Sequence, residues 1–267
     1  MNKEHSQKNE KEKSVCVKRI QVLDELRGLA VLCMIFYHGF YFAHFMFGLD
    51  LGLKLFNFFT PAQPFFAGIF IVVSGISSRL SRSNLKRGIK LLIISLGVTF
   101  VSAVILPKLF DIGGAQIYFG ILHFLSCSML IWAVISKPAS KINPLIGMII
   151  CVFLYLFFDS IGRGYIGFDR IITTRLPFIW YTEDTLAFLG IHSPSFFSAD
   201  YFPLLPHLFL FMFGAFLGGA IKKNALPSCF YKSHIPPLAF LGRYALFAYI
   251  LHIPVIYIIL RLFLIFI

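Results

Sequence analysis

DELRGLAVLCMIFYHGFYFAH, residues 24–44, opens with two carboxylates and an arginine and then turns apolar, with two imidazoles inside the apolar part. Read as a helix, Asp24, Arg27, Val31, Met34, His38 and Tyr41 recur at steps of three and four and share one face. At 1.5 Å per residue, His38 lies about 16 Å beyond Arg27. That depth is just past the centre of a bilayer if Arg27 stays at its surface. The stretch therefore predicts a membrane span with an ionisable group deep inside it.

The rest of the chain agrees. Of 267 residues, 58% are hydrophobic, 17% aromatic and 13% charged, against roughly 25% charged in a soluble domain. Seven runs lack Asp, Glu, Lys and Arg and are long enough to cross hydrocarbon: Gly28–Leu49, Leu55–Ser78, Leu91–Pro107, Ile112–Ser136, Ile142–Phe158, Tyr201–Ile221 and Tyr244–Leu260. Pro61 and Pro64 set the start of the second helix near Pro64. The expected fold is an all-α polytopic transmembrane helix bundle of about seven spans. Residues 1–19 read as a disordered, lysine-rich polar tail without a secretory cleavage pattern, and residues 20–267 as the transmembrane domain. The five cysteines show no paired or metal spacing and read as small buried hydrophobes.

With the N-terminus in the cytoplasm, segments 1–27, 79–90, 137–141 and 222–243 carry 18 of the 24 basic residues. The external segments then carry six, with seven of the twelve acids. This satisfies the positive-inside rule and puts the C-terminus outside. The net charge of +12 is thereby explained by orientation, and nucleic acid is not expected as a partner. A long external loop, 159–200, holds Asp169, Arg170, Arg175, Glu183, Asp184 and His192 and reads either as a lid or as an interfacial belt with Trp180 and Tyr181.

Five histidines fall within the spans: His38, His44, His123, His207 and His252. Ionisable groups in a membrane usually face the bundle interior. Their spacing matches no metal motif, so no metal is expected. Arg79 and Arg82, with Arg27 and Arg243, stand at the depth of a cytoplasmic phosphate pocket or act as topology anchors.

LDELRGLAVLCMIFYH (23–38 with Leu23) resembles the first helix of transmembrane acyltransferases, in which an Arg-Gly pair is followed by a histidine eleven positions after the arginine. FIVVSGISSRLSR, FGILHFLSCSMLI, ADYFPLLPHLFLFMFGAFLGGAI and LGRYALFAYILHIPVIY, in that order, resemble short bacterial members of the heparan-alpha-glucosaminide N-acetyltransferase catalytic family. The resemblance implies transfer of an acyl group, typically acetyl, from cytoplasmic acyl-CoA to an external sugar or glycan, by a protein of the bacterial cytoplasmic membrane. Acyl-CoA, the acceptor and membrane lipids are the implied partners, and a homo-oligomer is compatible with the pattern. His38 fits the pattern's histidine. Eukaryotic relatives place asparagine there and the catalytic histidine shortly afterwards, so His44 is a rival, with His252 as partner at matching depth. Arg27, Arg79 and Arg243 become candidates for the donor's phosphates, and Asp200, His123 and His207 for the acceptor. A transporter or flippase using the histidines as a proton relay is the competing reading, although no internal repeat accompanies it.

Reporter fusions after Ile221 and after Ile267 are expected to report opposite compartments, the former cytoplasmic. The same compartment for both contradicts this topology.

Overall fold

The computed structural model describes residues 19–265 except 82, 111–113, 169–170 and 224–225. The expected tail, apart from Arg19, and the side chains of Arg82, Asp169 and Arg170 lie outside the described residues. The principal helices are α1 (Gln21–Phe45), α2 (Asp50–Phe59), α3 (Gln63–Leu80), α4 (Asn84–Phe100), α5 (Ile121–Ala139), α6 (Pro144–Phe158), α7 (Leu204–Lys223), α8 (Pro236–Arg243) and α9 (Ala245–Ile265). Seven helical stretches among the described residues are long and apolar enough to cross a membrane, with α2 and α3 joined into one of them by the 3-10 turn Thr60–Ala62. The protein is a multi-pass membrane protein. Its two ends are called here the basic face, where α1 begins and α3 ends, and the loop face, which carries residues 159–203.

Gly48 (φ 69°) reverses the chain after α1, a left-handed conformation that glycine adopts without strain. The reversal lays α2 back along α1, where Phe56 packs on Tyr37, Tyr41 and Phe45 at ring separations of 4.9, 5.6 and 5.9 Å. Tyr41 thus serves this aromatic seam. Pro61 and Pro64 stand in the first turns of the 3-10 segment and of α3, as the sequence predicts.

Hydrocarbon gives helices no hydrophobic reason to associate, so close packing through small residues has to supply it. Two reciprocal glycine contacts do this. A Cβ on Gly75 would lie 2.1 Å from the carbonyl oxygen of Phe211, and one on Gly214 2.2 Å from that of Val72, so α3 and α7 touch backbone to backbone. Likewise a Cβ on Gly28 would lie 2.0 Å from the Leu238 oxygen, and one on Gly242 1.8 Å from that of Asp24, which presses α8 onto the first turns of α1. The Glu25 carboxylate secures the same junction by accepting from Ser233 Oγ, His234 N and Ile235 N at 2.9, 2.6 and 2.8 Å. Ile71, Phe124, Trp132 and Phe211 fill the core between α3, α5 and α7.

Three expectations need correction. The fourth span begins at Ile121, not Ile112, because residues 115–120 are not helical and bond instead to the chain before α7: Ala199 N donates to Gln116 O (2.9 Å) and Phe202 N to Phe119 O (3.2 Å). The all-α fold carries one small hairpin in the long loop, β1 (Tyr165–Phe168) against β2 (Ile172–Arg175), with Phe168 seated on Phe153 and Phe157 of α6. Cys229 is exposed in the turn before α8 rather than buried. Within the loop Trp180 is exposed, as a belt residue would be, whereas Asp200 is buried in the bundle.

Gly242→Val is expected to lower the melting temperature of purified protein by an amount corresponding to about 1–3 kcal/mol of overpacking. Gly97→Ala, where a Cβ meets nothing within 4 Å, is the control and should leave it unchanged or raised. Equal effects would contradict the close α1–α8 contact.

Candidate functional site

Two polar systems lie along α1. At the basic face, buried Asp24 accepts from Arg19 Nε (2.5 Å) and Arg27 Nη1 (3.0 Å), and Arg27 Nη2 donates to Ser77 Oγ of α3 (2.7 Å). Arg27 also lines a cavity of about 360 Å³ with Arg87, Lys90, Arg243 and Ser74 at its polar end. Phe70, Leu122, Met129 and Tyr249 form the apolar remainder, deeper in the bundle. Four cations at the mouth of an apolar shaft can hold a phosphorylated molecule with a long uncharged arm.

Deeper along the same face, His38 Nδ1 lies 2.9 Å from His252 Nε2, with the two rings stacked at 5.1 Å. His252 is buried, and its Nδ1 meets the Tyr249 carbonyl oxygen. A carbonyl only accepts, so His252 Nδ1 carries the hydrogen and His252 Nε2 a lone pair. His38 Nδ1 then donates to that lone pair. The remaining nitrogen, His38 Nε2, is left as an unprotonated acceptor. One main-chain carbonyl therefore fixes the tautomers of both rings.

His38 lines a second, narrow cavity of about 40 Å³ together with Val31, Met34, Gln63, Phe70 and Asp200. Asp200 arrives there from the loop face. Its Oδ2 accepts from Ile121 N (3.0 Å), an otherwise unpaired donor at the start of α5, and from the Tyr249 hydroxyl. Tyr249 thus bounds the basic cavity with its ring, holds Asp200 with its hydroxyl and orients His252 with its carbonyl. Phe70 lines both cavities.

The sequence candidates separate as follows. His38, His252, Asp200, Arg27 and Arg243 belong to these two systems. Arg79 does not line the basic cavity; its side chain lies against Gly218 and Gly219 of α7, on the other side of α3. His44 lines neither cavity, and its buried Nδ1 has no hydrogen-bond partner. His123 is occupied at both nitrogens, Nδ1 by Gly120 N (3.3 Å) and Nε2 by Thr99 Oγ1 (3.1 Å), and ties α5 to α4. His207 is behind Phe202, its Nδ1 bonded to Pro203 O at 3.0 Å. Arg87, Lys90, Gln63 and Tyr249 were not singled out by sequence. The stripe Arg87, Lys90, Leu91, Ile94 at helical spacing carried the signal for the first two. Among the described residues, no group of three or more His, Cys, Asp or Glu is placed to hold a metal ion.

The sequence model of the heparan-alpha-glucosaminide N-acetyltransferase catalytic family matches residues 19–254, nearly the whole described chain. The protein belongs to that family. No curated protein and no solved structure matches the chain. Membership in an acetyltransferase family and seven apolar helices together make this chain a membrane acetyltransferase.

Burial pushes the Asp200 carboxyl up to about 6, against the opposing hydrogen bonds from Tyr249 and Ile121. The folded state thus holds this proton more tightly than the unfolded chain. The stabilisation is complete below 3.8 and is lost as pH rises through about 6. Asp200→Asn, which keeps an acceptor oxygen, is expected to melt higher relative to the native protein at pH 8 than at pH 5. A pH-independent difference would contradict a protonated, buried Asp200.

Proposed function

We propose that the protein transfers an acetyl group from cytoplasmic acetyl-CoA to a sugar or glycan acceptor entering from the loop face, across the bacterial cytoplasmic membrane. The observation that carries this reading is the His38–His252–Tyr249 chain, which leaves His38 Nε2 unprotonated between a basic cavity and the loop face. In this reading the donor's phosphates sit among Arg27, Arg87, Lys90 and Arg243, with Arg87 and Lys90 taking the place sequence gave to Arg79. The pantetheine arm follows the apolar wall past Phe70 and Tyr249 and brings the thioester carbonyl beside His38. The roughly 16 Å from Arg27 to His38 along α1 suits that reach. The small cavity at His38 has room for little more than a group of one or two water volumes, which favours a two-carbon acyl group over a long chain.

His38 Nε2 takes the proton of the acceptor's hydroxyl or amine as that atom attacks the carbonyl. The C–S bond then breaks, and CoA leaves as thiolate, to be protonated on release. Such a base is worth about 10²–10⁴ in rate. His252 positions His38 and stabilises the positive charge it gains, through the shared hydrogen bond. A proton-relay transporter would need titratable groups continuing toward the other face; His252 Nδ1 ends instead on a main-chain carbonyl, which cannot pass a proton on.

In purified protein, His38→Ala is expected to lower acetyl transfer by about 10²–10⁴ while acetyl-CoA still binds, and His44→Ala to transfer near the native rate. Loss of transfer in His44→Ala alone moves the base to His44. Arg87→Ala is expected to weaken acetyl-CoA binding by about 10- to 100-fold, the loss of one charge-assisted hydrogen bond. Unchanged binding would contradict the basic cavity as the donor site.

A further inference from the structure

Arg79 is the basic candidate that the donor cavity leaves unused. Its part-buried side chain reaches from α3 to the space between α7 and the start of α6: a Cβ on Gly219 would lie 3.4 Å from Arg79 Nε and 3.9 Å from Pro144 Cγ. Among the described residues the guanidinium has no hydrogen bond and no ion pair. Lys222 and Lys223 follow Gly219 by three and four positions and share its helix face. Lys137 and Lys141, both exposed, stand where α5 ends and turns into Pro144. None of α3, α5, α6 and α7 contains an acidic residue, so these cations have no carboxylate on their own helices.

A cavity of about 310 Å³ lies inward of them, between α5, α6 and α7. Gly147 and Phe216, one turn inward from Pro144 and Gly219, begin its wall, and Trp132, Cys151, Leu154 and Met212 carry it deeper. No charged side chain among the described residues lines it. From Gly147 to Leu154 the wall runs about 10 Å along the α6 axis. Ile142 and Ile150 at its rim are exposed, so the cavity opens toward the surrounding lipid.

Cations at the membrane surface above a hydrocarbon-lined slot match the two ends of an anionic phospholipid, and basic pockets between spans hold lipid headgroups in this way. A water-soluble anion would use the cations and not the slot. A zwitterionic lipid would use the slot, but its own ammonium group opposes the cations. We propose that this corner of the basic face is a binding site for one anionic phospholipid, with its phosphate among Arg79, Lys137 and Lys141 and an acyl chain in the cavity. Arg79 can hold two phosphate oxygens at once through its guanidinium fork. The site lies across α3 from the donor cavity and does not depend on the acetyltransferase reading.

The test is native mass spectrometry of the full chain in a neutral detergent, with phosphatidylglycerol or phosphatidylcholine of identical chains. Phosphatidylglycerol is expected to be retained at least about tenfold more strongly. Arg79→Gln, Lys137→Gln and Lys141→Gln should each weaken that retention about fivefold, and the triple variant about a hundredfold. Lys54→Gln, which removes an exposed cation of α2, should leave it unchanged. Ile150→Trp fills the cavity from its rim and should also weaken retention; should that variant not fold, short-chain phosphatidylglycerol reads the same loss. Equal retention of the two headgroups, retention unchanged in the triple variant, or full retention of the short-chain lipid each overturns the proposal. Displacement of the lipid by acetyl-CoA would assign the cations to the donor, and binding of inorganic phosphate without lipid would assign them to a free anion; either result overturns it.

Discussion

An imidazole in hydrocarbon presents one donor and one acceptor that water cannot reach, and each unpaired group costs several kcal/mol. His38 satisfies its donor through His252, 214 residues away in sequence, and turns its acceptor to the small cavity, while His252 is paired on both sides, by His38 and by the Tyr249 carbonyl. The glycine contact of Gly28 with α8 fixes the basic end, just before α9 begins, and Glu25 clamps the segment leading into α8. At the other end Asp200 joins the start of α5 to Tyr249. α9 otherwise shows exposed apolar residues such as Phe247, Leu251, Val255 and Ile259, and Tyr249 and His252 lie with Ala245 on its buried side.

The same polar nodes divide the interior. Phe70 and Tyr249 stand between a cavity lined by Arg27, Arg87, Lys90 and Arg243 and a smaller one lined by His38 and Asp200. In the proposed reading a charged, water-soluble acetyl-CoA and an acceptor have to meet without opening a continuous channel. A wide basic cavity, divided by Phe70 and Tyr249 from a small one that holds one unprotonated imidazole nitrogen, is an arrangement that fits this need.

Depth was legible in the sequence, and direction around the helix axis was not. Charge-free runs located all seven spans, and counting 1.5 Å per residue put His38 and His252 at matching depth, where they are hydrogen-bonded. Arg79 and His44 have suitable depths too, but they point toward α7 and away from both cavities respectively, which depends on packing partners far along the chain. Residues 115–120 look like span because they lack charge; they are irregular instead and bond to residues 199–202, a long-range contact that no local pattern encodes. Asp200 was recognisable only as part of a family motif, while its role as partner of Ile121 N and Tyr249 required the fold. Arg87 and Lys90 were counted as topology signals although their spacing with Leu91 and Ile94 marks one helix face.

The central claim is that His38 and His252 act as one unit, with His38 taking the proton and His252 holding it in the required tautomer. Single-turnover acetyl transfer at saturating acetyl-CoA, measured in His38→Ala, His252→Ala and the double variant, tests it most directly. The account predicts strong non-additivity, with the double variant no slower than His38→Ala alone. Independent, multiplicative losses would contradict it.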